Sequence, residues 1–277
     1  MELYHKSCLS VSRIITEAYS SSFSRGMKLL SPSIRKAIYA IYGFVRTADE
    51  IVDTFHGYDK KTMLGEFKEE TYLAIERGIS VNPVLQSYQW AVNHYQIDLE
   101  LTESFFRSME TDLDTSVHDL DTYGDYIYGS AEVVGLMCLS VFYADRKEKY
   151  EELKEPARKL GEAFQKVNFL RDIRQDFEER GRLYFPDLDL HSFNAEKKRQ
   201  IEAEIFQDFQ AARVGIRKLD KGIRLGVYVA YRYYSRLLAK ISRKTTEELL
   251  SQRVRIDNFS KLVIMSKAII RHNLGIL

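Results

Sequence analysis

Four polar residues in the second half of the chain, Gln165, Asn168, Asp172 and Asp176, follow one another at steps of three, four and four. On an α-helix, four residues turn the chain by about 400° and lift it by about 6 Å, so these side chains stack on one face. Leu160, Phe164, Val167, Leu170, Ile173 and Phe177 supply the apolar positions around them. A helix that carries amides and carboxylates toward an apolar interior needs cations to meet them there, because an unpaired buried charge is expensive. The device recurs between Tyr39 and Asp53. Tyr39, Tyr42, Arg46, Asp49 and Asp53 alternate steps of three and four beside an apolar stripe of Ile38, Ile41, Val45 and Val52. Two helices that each present Asp-x-x-x-Asp can face each other across a cavity and hold several divalent cations. Mg²⁺ suits such a site, since it takes oxygen ligands, often only one or two carboxylates, and completes its shell with water and substrate phosphate. The spacing therefore predicts a metal-bound, phosphate-bearing substrate.

The remainder of the chain reads as helix. Its 277 residues hold only 4 prolines, and long segments keep a helical period. The expected helices run from Glu2 to Tyr19, from the Ser31-Pro32 start to Asp53, from Lys61 to Arg77 with Gly78 closing it, and from Pro83 to Tyr95. A shorter one spans Thr102 to Leu113, and the acidic run Asp112 to Asp121 reads as a solvated loop without the glycine and glutamate spacing of an EF-hand. A capping-box variant at Thr122 precedes an almost wholly apolar helix through Tyr126 to Met137. Its Gly129 and Gly135 mark either close helix packing or a kink that leaves room for a long apolar ligand. Helices at Glu148 to Glu179 (Gly181 stopping it), Asn194 to Leu219, Ile223 to Ser242 and Asn258 to His272 complete the chain. No linker or repeat divides it, so one helical domain over 1–277 is expected.

Bulk properties narrow the partners. Lys plus Arg (41) balances Asp plus Glu (40), so no global field recruits nucleic acid. Cys8 and Cys138 show no metal spacing and no disulfide framework, as for reduced core cysteines of a cytosolic protein. The N-terminus lacks the apolar run of a signal peptide, and the apolar stretch Val133 to Ala144 is too short to span a bilayer. A soluble or peripheral protein is expected. The last helix mixes Lys261, Lys267 and Arg271 with apolar residues, which fits either a core-facing helix or one lying on a membrane surface. Ser20 to Arg25 is equally two-sided, as a loop cap or as hydroxyls beside an arginine that hold phosphate oxygens.

One Asp-x-x-x-Asp pair is weak, because solvated helix faces generate it freely. Two pairs on half-buried helices, with Gln165, Asn168 and Arg171 beside one and Arg46 beside the other, strain a surface account. The blocks Tyr19-Ser-Ser-Ser-Phe-Ser, Arg46-Thr-Ala-Asp-Glu-Ile-Val-Asp53, Tyr126-Ile-Tyr-Gly-Ser-Ala, Asn168-Phe-Leu-Arg-Asp-Ile-Arg-Gln-Asp176 and Gly181-Arg-Leu-Tyr-Phe-Pro186 resemble the squalene/phytoene synthase family, in order and over nearly the whole chain. Length and block style look most like its bacterial phytoene-forming members.

The resemblance implies an all-α bundle of the isoprenoid synthase type with a central cavity. By position it implies that Asp49, Asp53, Asp172 and Asp176 bind Mg²⁺ or Mn²⁺, with Asn168 and Gln165 assisting the metal–diphosphate cluster. Ser20, Ser22, Arg46, Arg171, Tyr234 and Arg253 would contact diphosphate, and Tyr42 and Tyr128 would line the cavity near cationic intermediates. Tyr19 stands where some members carry His, and Glu50 where many carry a second Asp. The implied reaction joins two isoprenoid diphosphates through their C1 carbons, with no nicotinamide cofactor when the product is phytoene. Joining C15 rather than C20 substrates is the alternative within the family. A non-catalytic member acting as an assembly protein is the alternative outside enzymology, and retention of all four aspartates argues against it.

Overall fold

The computed structural model describes residues 1–114, 120–180, 184–186, 188 and 193–277. These form thirteen α-helices, one π-helical turn and no strand. In chain order they are α1 (Glu2–Tyr19), α2 (Ser21–Met27), α3 (Pro32–Asp53), α4 (Lys60–Arg77), α5 (Pro83–Tyr95), α6 (Leu99–Asp114) and α7 (Leu120–Ile127). After the π turn (Tyr128–Glu132) come α8 (Val133–Phe142), α9 (Lys147–Arg180), α10 (Ala195–Lys218), α11 (Lys221–Ile241), α12 (Thr246–Ser251) and α13 (Asn258–Asn273).

Local chemistry sets the ends. Asp59 accepts from the Thr62 N–H at the start of α4, and Gly78, at φ 68°, closes that helix where a β-carbon would be strained. Asn82 caps α5 ahead of Pro83, and Asn194 caps α10 by accepting from Glu196 and Lys197. Ser31 does not cap α3 as expected. Its hydroxyl donates to the Gly222 carbonyl at 3.2 Å, tying the start of α3 to α11, and the fixed φ of Pro32 begins the helix. The short helices α2 and α12 are not evident from periodicity, because six or seven residues hold too few turns to show one. Helix α6 runs through Asp114, so Asp112 is helical and buried, not part of a solvated loop. The stop expected at Gly181 lies outside the described residues.

Helix α3 organises the packing through two faces. Phe44 lies in the core, stacked on Tyr88 with centroids 3.7 Å apart and packed against Phe67, Phe105 and Phe106. The other face, from Ile38 to Asp53, lines a cavity of about 1060 Å³. Helix α9 lines the same cavity from Leu153 to Asp176, a run of about 34 Å at a rise of about 1.5 Å per residue. Pro156 sits inside α9 without ending it. Gly215 of α10 gives it room, since a β-carbon there would come within 2.3 Å of Pro156 Cβ. Gly129 serves close packing, because a β-carbon would meet Ser108 Oγ at 2.0 Å and the Ser104 carbonyl at 2.4 Å. Lys166 locks α9 to α10, donating to Glu162 at 2.6 Å and Asp208 at 2.9 Å.

The apolar stretch Val133 to Ala144, too short by itself to span a bilayer, is continuous with helix before it. Thr122–Phe142 is a continuous helical run that meets the length and apolarity of a membrane span. Half of that window is buried inside the molecule, where a central helix draws its apolar character from the core it fills.

Candidate active site

Of the residues singled out from the sequence, Ser20, Ser22, Tyr42, Arg46, Asp49, Asp53, Gln165, Asn168, Arg171, Asp172, Asp176, Tyr234 and Arg253 all line the one cavity between α3 and α9. Tyr128 does not. Its ring lies under the Arg158 guanidinium, 5.4 Å from the centroid, and Tyr126, two residues earlier, is the tyrosine at the cavity wall.

The acids sit where a helix disfavours them. Asp53 is the last residue of α3, Asp49 lies one turn before it, and Asp176 lies four residues before the end of α9. Unpaired carbonyls make a helix C-terminus negative, so carboxylates there attract cations. Asp172 is met by two guanidinium groups. Its Oδ1 accepts from Arg171 Nε at 2.9 Å and lies 2.7 Å from Arg253 Nε, and its Oδ2 accepts from Arg171 Nη2 and, at 3.0 Å, from Arg253 Nη2. Burial alone would raise its pKa, but Arg171 and Arg253 hold it below the ordinary carboxylate range. Arg46 pairs with Glu50, reaches Asp49 at 3.7 Å, and stacks over the Tyr19 ring at 4.4 Å. Among the described residues its buried Nε has no hydrogen-bond partner. Tyr19 thus offers Arg46 a ring face, where an imidazole would offer a ring nitrogen.

Among the described residues, no three His, Cys, Asp or Glu side chains converge as a closed metal site. The donors are hard oxygens on opposite walls of one cavity, which fits Mg²⁺ or Mn²⁺ completed by water and diphosphate rather than a cage made of protein alone. Ser20 accepts from the Phe23 N–H as the cap of α2, and Ser20, Ser21 and Ser22 also line the cavity. Asn168 donates to Gln165 Oε1 at 3.5 Å and accepts from Tyr234 Oη at 3.3 Å.

Beside these polar groups lies an aromatic patch. Tyr234 packs on Phe164 at 4.2 Å and on Phe23 at 5.3 Å, and Phe23 reaches Tyr42 at 6.1 Å. Burial, then the neighbouring Tyr234 and Asp49, raise the pKa of Tyr42, and burial does the same for Tyr234, so both remain neutral phenols. Leu30, Ile41, Leu139, Leu160, Ile216 and Leu219 continue the wall as hydrocarbon.

Several lining residues escape sequence reasoning. Lys261 donates to Ser21 Oγ at 2.6 Å across 240 positions, and no spacing rule connects two residues so far apart. Burial, then the charges of Arg25 and Arg171, lower its pKa, as happens where cations are gathered around a place for an anion. Asp112, Tyr126 and Tyr184 also line the cavity.

Comparison with known proteins agrees with this arrangement. Residues 16–260 match the family described as squalene/phytoene synthase. The phytoene synthase of Arthrospira platensis is 28% identical over 284 residues, covering 94% of this chain and 91% of its own. The 4,4'-diapophytoene synthase of Staphylococcus haemolyticus is 27% identical over 199 residues, covering 70% and 67%. A crystal structure of a dehydrosqualene synthase superposes with a TM-score of 0.84 at 18% identity, over 98% of both chains. The chain belongs to the squalene/phytoene synthase family, and its all-α bundle around a central cavity is the isoprenoid synthase fold. Its class of enzyme is that of the prenyltransferases, which act on isoprenoid diphosphates.

Proposed function

We propose that this enzyme joins two geranylgeranyl diphosphates head to head, 1 to 1′, to give phytoene and two diphosphates, without a nicotinamide cofactor. One observation carries the reading: a single cavity holds two aspartate pairs, four arginines (Arg46, Arg171, Arg253 and Arg255) and a long hydrocarbon and aromatic wall. Asp49, Asp53, Asp172 and Asp176, with Gln165 and Asn168, would hold Mg²⁺ or Mn²⁺, which when bound would supply charge neutralisation for the departing diphosphate.

Arg46, Arg171 and Arg253 bind the diphosphate oxygens, with Ser20 and Ser22 as hydrogen-bonding partners. When the C1–O bond breaks, its electron pair leaves with the diphosphate and an allylic cation remains. The double bond of the second substrate attacks that cation, and loss of a proton closes a cyclopropylcarbinyl (prephytoene) diphosphate. A second ionisation and rearrangement follow, and a final proton loss leaves a central conjugated triene. Phe23, Tyr42, Phe164 and Tyr234 exclude water and turn ring faces toward the positive charge. Gly26, Ser130, Ala131 and Gly135 line the cavity and leave space for a C20 tail, whereas Gly43 packs on Ser12 of α1 and Gly129 on α6.

The dehydrosqualene synthase likeness favours a second reading, condensation of C15 farnesyl diphosphate to dehydrosqualene, presqualene diphosphate or squalene. Purified protein with Mg²⁺ is given C15 or C20 diphosphate separately, and the products are read by ultraviolet and mass spectra. A C40 triene formed without NADPH is expected. A C30 product at far higher kcat/KM, or a saturated central bond made only with NADPH, moves the assignment to the second reading.

A further inference from the structure

We propose that Asp112 is a positioning residue for this reaction, its buried carboxylate orienting Tyr126 and Tyr184 so that their rings form a cation-facing wall of the cavity. The inference rests on the reaction proposed above and concerns residues outside the metal and diphosphate set.

Asp112 lies in the last turn of α6 and is 7% exposed. Tyr126 Oη donates to its Oδ2 at 2.7 Å, and Tyr184 Oη donates to its Oδ1 at 3.4 Å. One carboxylate thereby joins three segments far apart in sequence: α6, α7 and the stretch after α9. The rings it orders are stacked in series. Tyr126 and Tyr184 have centroids 5.2 Å apart at 25°, and Tyr184 and Phe169 lie 4.1 Å apart at 9°. Phe169 follows Asn168 directly on α9, so the stack is anchored beside the diphosphate-binding face. Asp112, Tyr126, Phe169 and Tyr184 all line the cavity.

The chemistry follows from the hydrogen bonds. A phenol that donates to a carboxylate gains electron density at oxygen and in the ring, which makes its face more attractive to a cation. Burial, and after it the Asp112 charge, hold the ionisation of Tyr126 well above the ordinary phenol range. Tyr126 is therefore a fixed dipole and ring face, not a base. Loosening this wall lets water reach a cation early. Water oxygen then adds to the carbon, a proton goes to solvent, and an alcohol replaces the hydrocarbon. Alternatively the reaction stops at the cyclopropylcarbinyl diphosphate.

The test uses the full chain with Mg²⁺ and geranylgeranyl or farnesyl diphosphate, comparing wild type with Asp112→Asn, Asp112→Glu and Tyr126→Phe. Circular dichroism follows the fold, steady-state kinetics separate kcat from KM, and mass spectrometry counts hydrocarbon against cyclopropyl diphosphate and alcohols. We expect Asp112→Asn to keep its helical content and its KM within about twofold, with kcat down about tenfold, the scale of one cation–π contact. A larger share of its turnovers should end as intermediate or alcohol. Tyr126→Phe should shift the partition the same way, the double variant should add little, and Asp112→Glu should recover part of the wild-type ratio. A structural role alone would lower every product together. A wild-type partition in folded variants overturns the proposal, whether or not total turnover falls. If Asp112→Asn does not fold, Tyr126→Phe, which removes one hydroxyl, decides in the same way. A wild-type enzyme that makes no 1-1′ product overturns the functional reading and this proposal with it, whereas a competent wild type with unmoved variants overturns this proposal alone.

Discussion

Replacing Asp172 by Asn tests the centre of the site, because the substitution keeps the volume and removes only the charge. That charge is shared between Arg171 and Arg253, at N–O separations of 2.9 Å, 2.7 Å and 3.0 Å plus the shorter Arg171 Nη2–Asp172 Oδ2 contact. Breaking one side of a buried ion pair typically costs about 3–5 kcal/mol. The Arg253 side chain is 42% exposed, so water takes up much of its charge, and a loss of about 1–3 kcal/mol is the better expectation. For a chain of this length that is a Tm lower by roughly 2–4 °C per kcal/mol. The effect on catalysis should be larger. An Asn amide offers one neutral oxygen where the diphosphate complex needs an anionic ligand, so turnover should fall by at least about a hundredfold with helical content intact. Binding of inorganic pyrophosphate separates the two consequences. With Mg²⁺ it should weaken in the variant. Without metal it should strengthen, because Arg171 and Arg253 no longer hold a carboxylate. Calorimetric titration in both conditions, beside turnover as Mg²⁺ is varied, reads all of this. Near-normal turnover at limiting Mg²⁺ would sink the role assigned to Asp172.

Tyr128→Phe should leave kcat/KM within about twofold of wild type, because its ring packs under Arg158 outside the cavity; a large loss in a folded variant would return Tyr128 to the reaction. Glu162→Gln should destabilise the fold by about 1–3 kcal/mol near neutral pH, since Lys166 loses one of two buried partners. Burial alone would raise the Glu162 pKa, but Lys159 and Lys166 hold it down, so its contribution is full above the unfolded value of about 4.3 and is lost as pH falls through the lower folded one. The gap between variant and wild type in urea should therefore close in acid and not in base. We also propose membrane attachment through α13, whose Phe259, Leu262 and Ile270 are exposed beside Lys267 and Arg271, while Lys261 and Ala268 face inward. Flotation with anionic liposomes at low salt should carry the protein upward, and failure to float refutes attachment.

The helices α3 and α9 were legible because each keeps apolar and polar residues at a helical period for many turns, and their acids and arginines do line one cavity. Where that contrast fails, phase is lost. Tyr126 and Tyr128 are two residues apart, about 200° around a helix, so at most one can face a given cavity. Their neighbours are apolar on nearly every side, and a π-helical turn begins at Tyr128 itself, adding a shift in register that no residue pattern announces. The choice between them comes from partners supplied elsewhere in the chain: Arg158 for Tyr128, Asp112 for Tyr126. Asp112 was hidden for a related reason. Surrounded in sequence by Glu110, Asp114, Asp119 and Asp121, it reads as one more solvated acid. The return of Tyr126 and Tyr184 to the same spot helps to offset its burial, and that return is a tertiary event. Residues whose function depends on their own helix can be read from spacing; those that depend on a partner dozens of positions away become visible only when the bundle closes around the cavity.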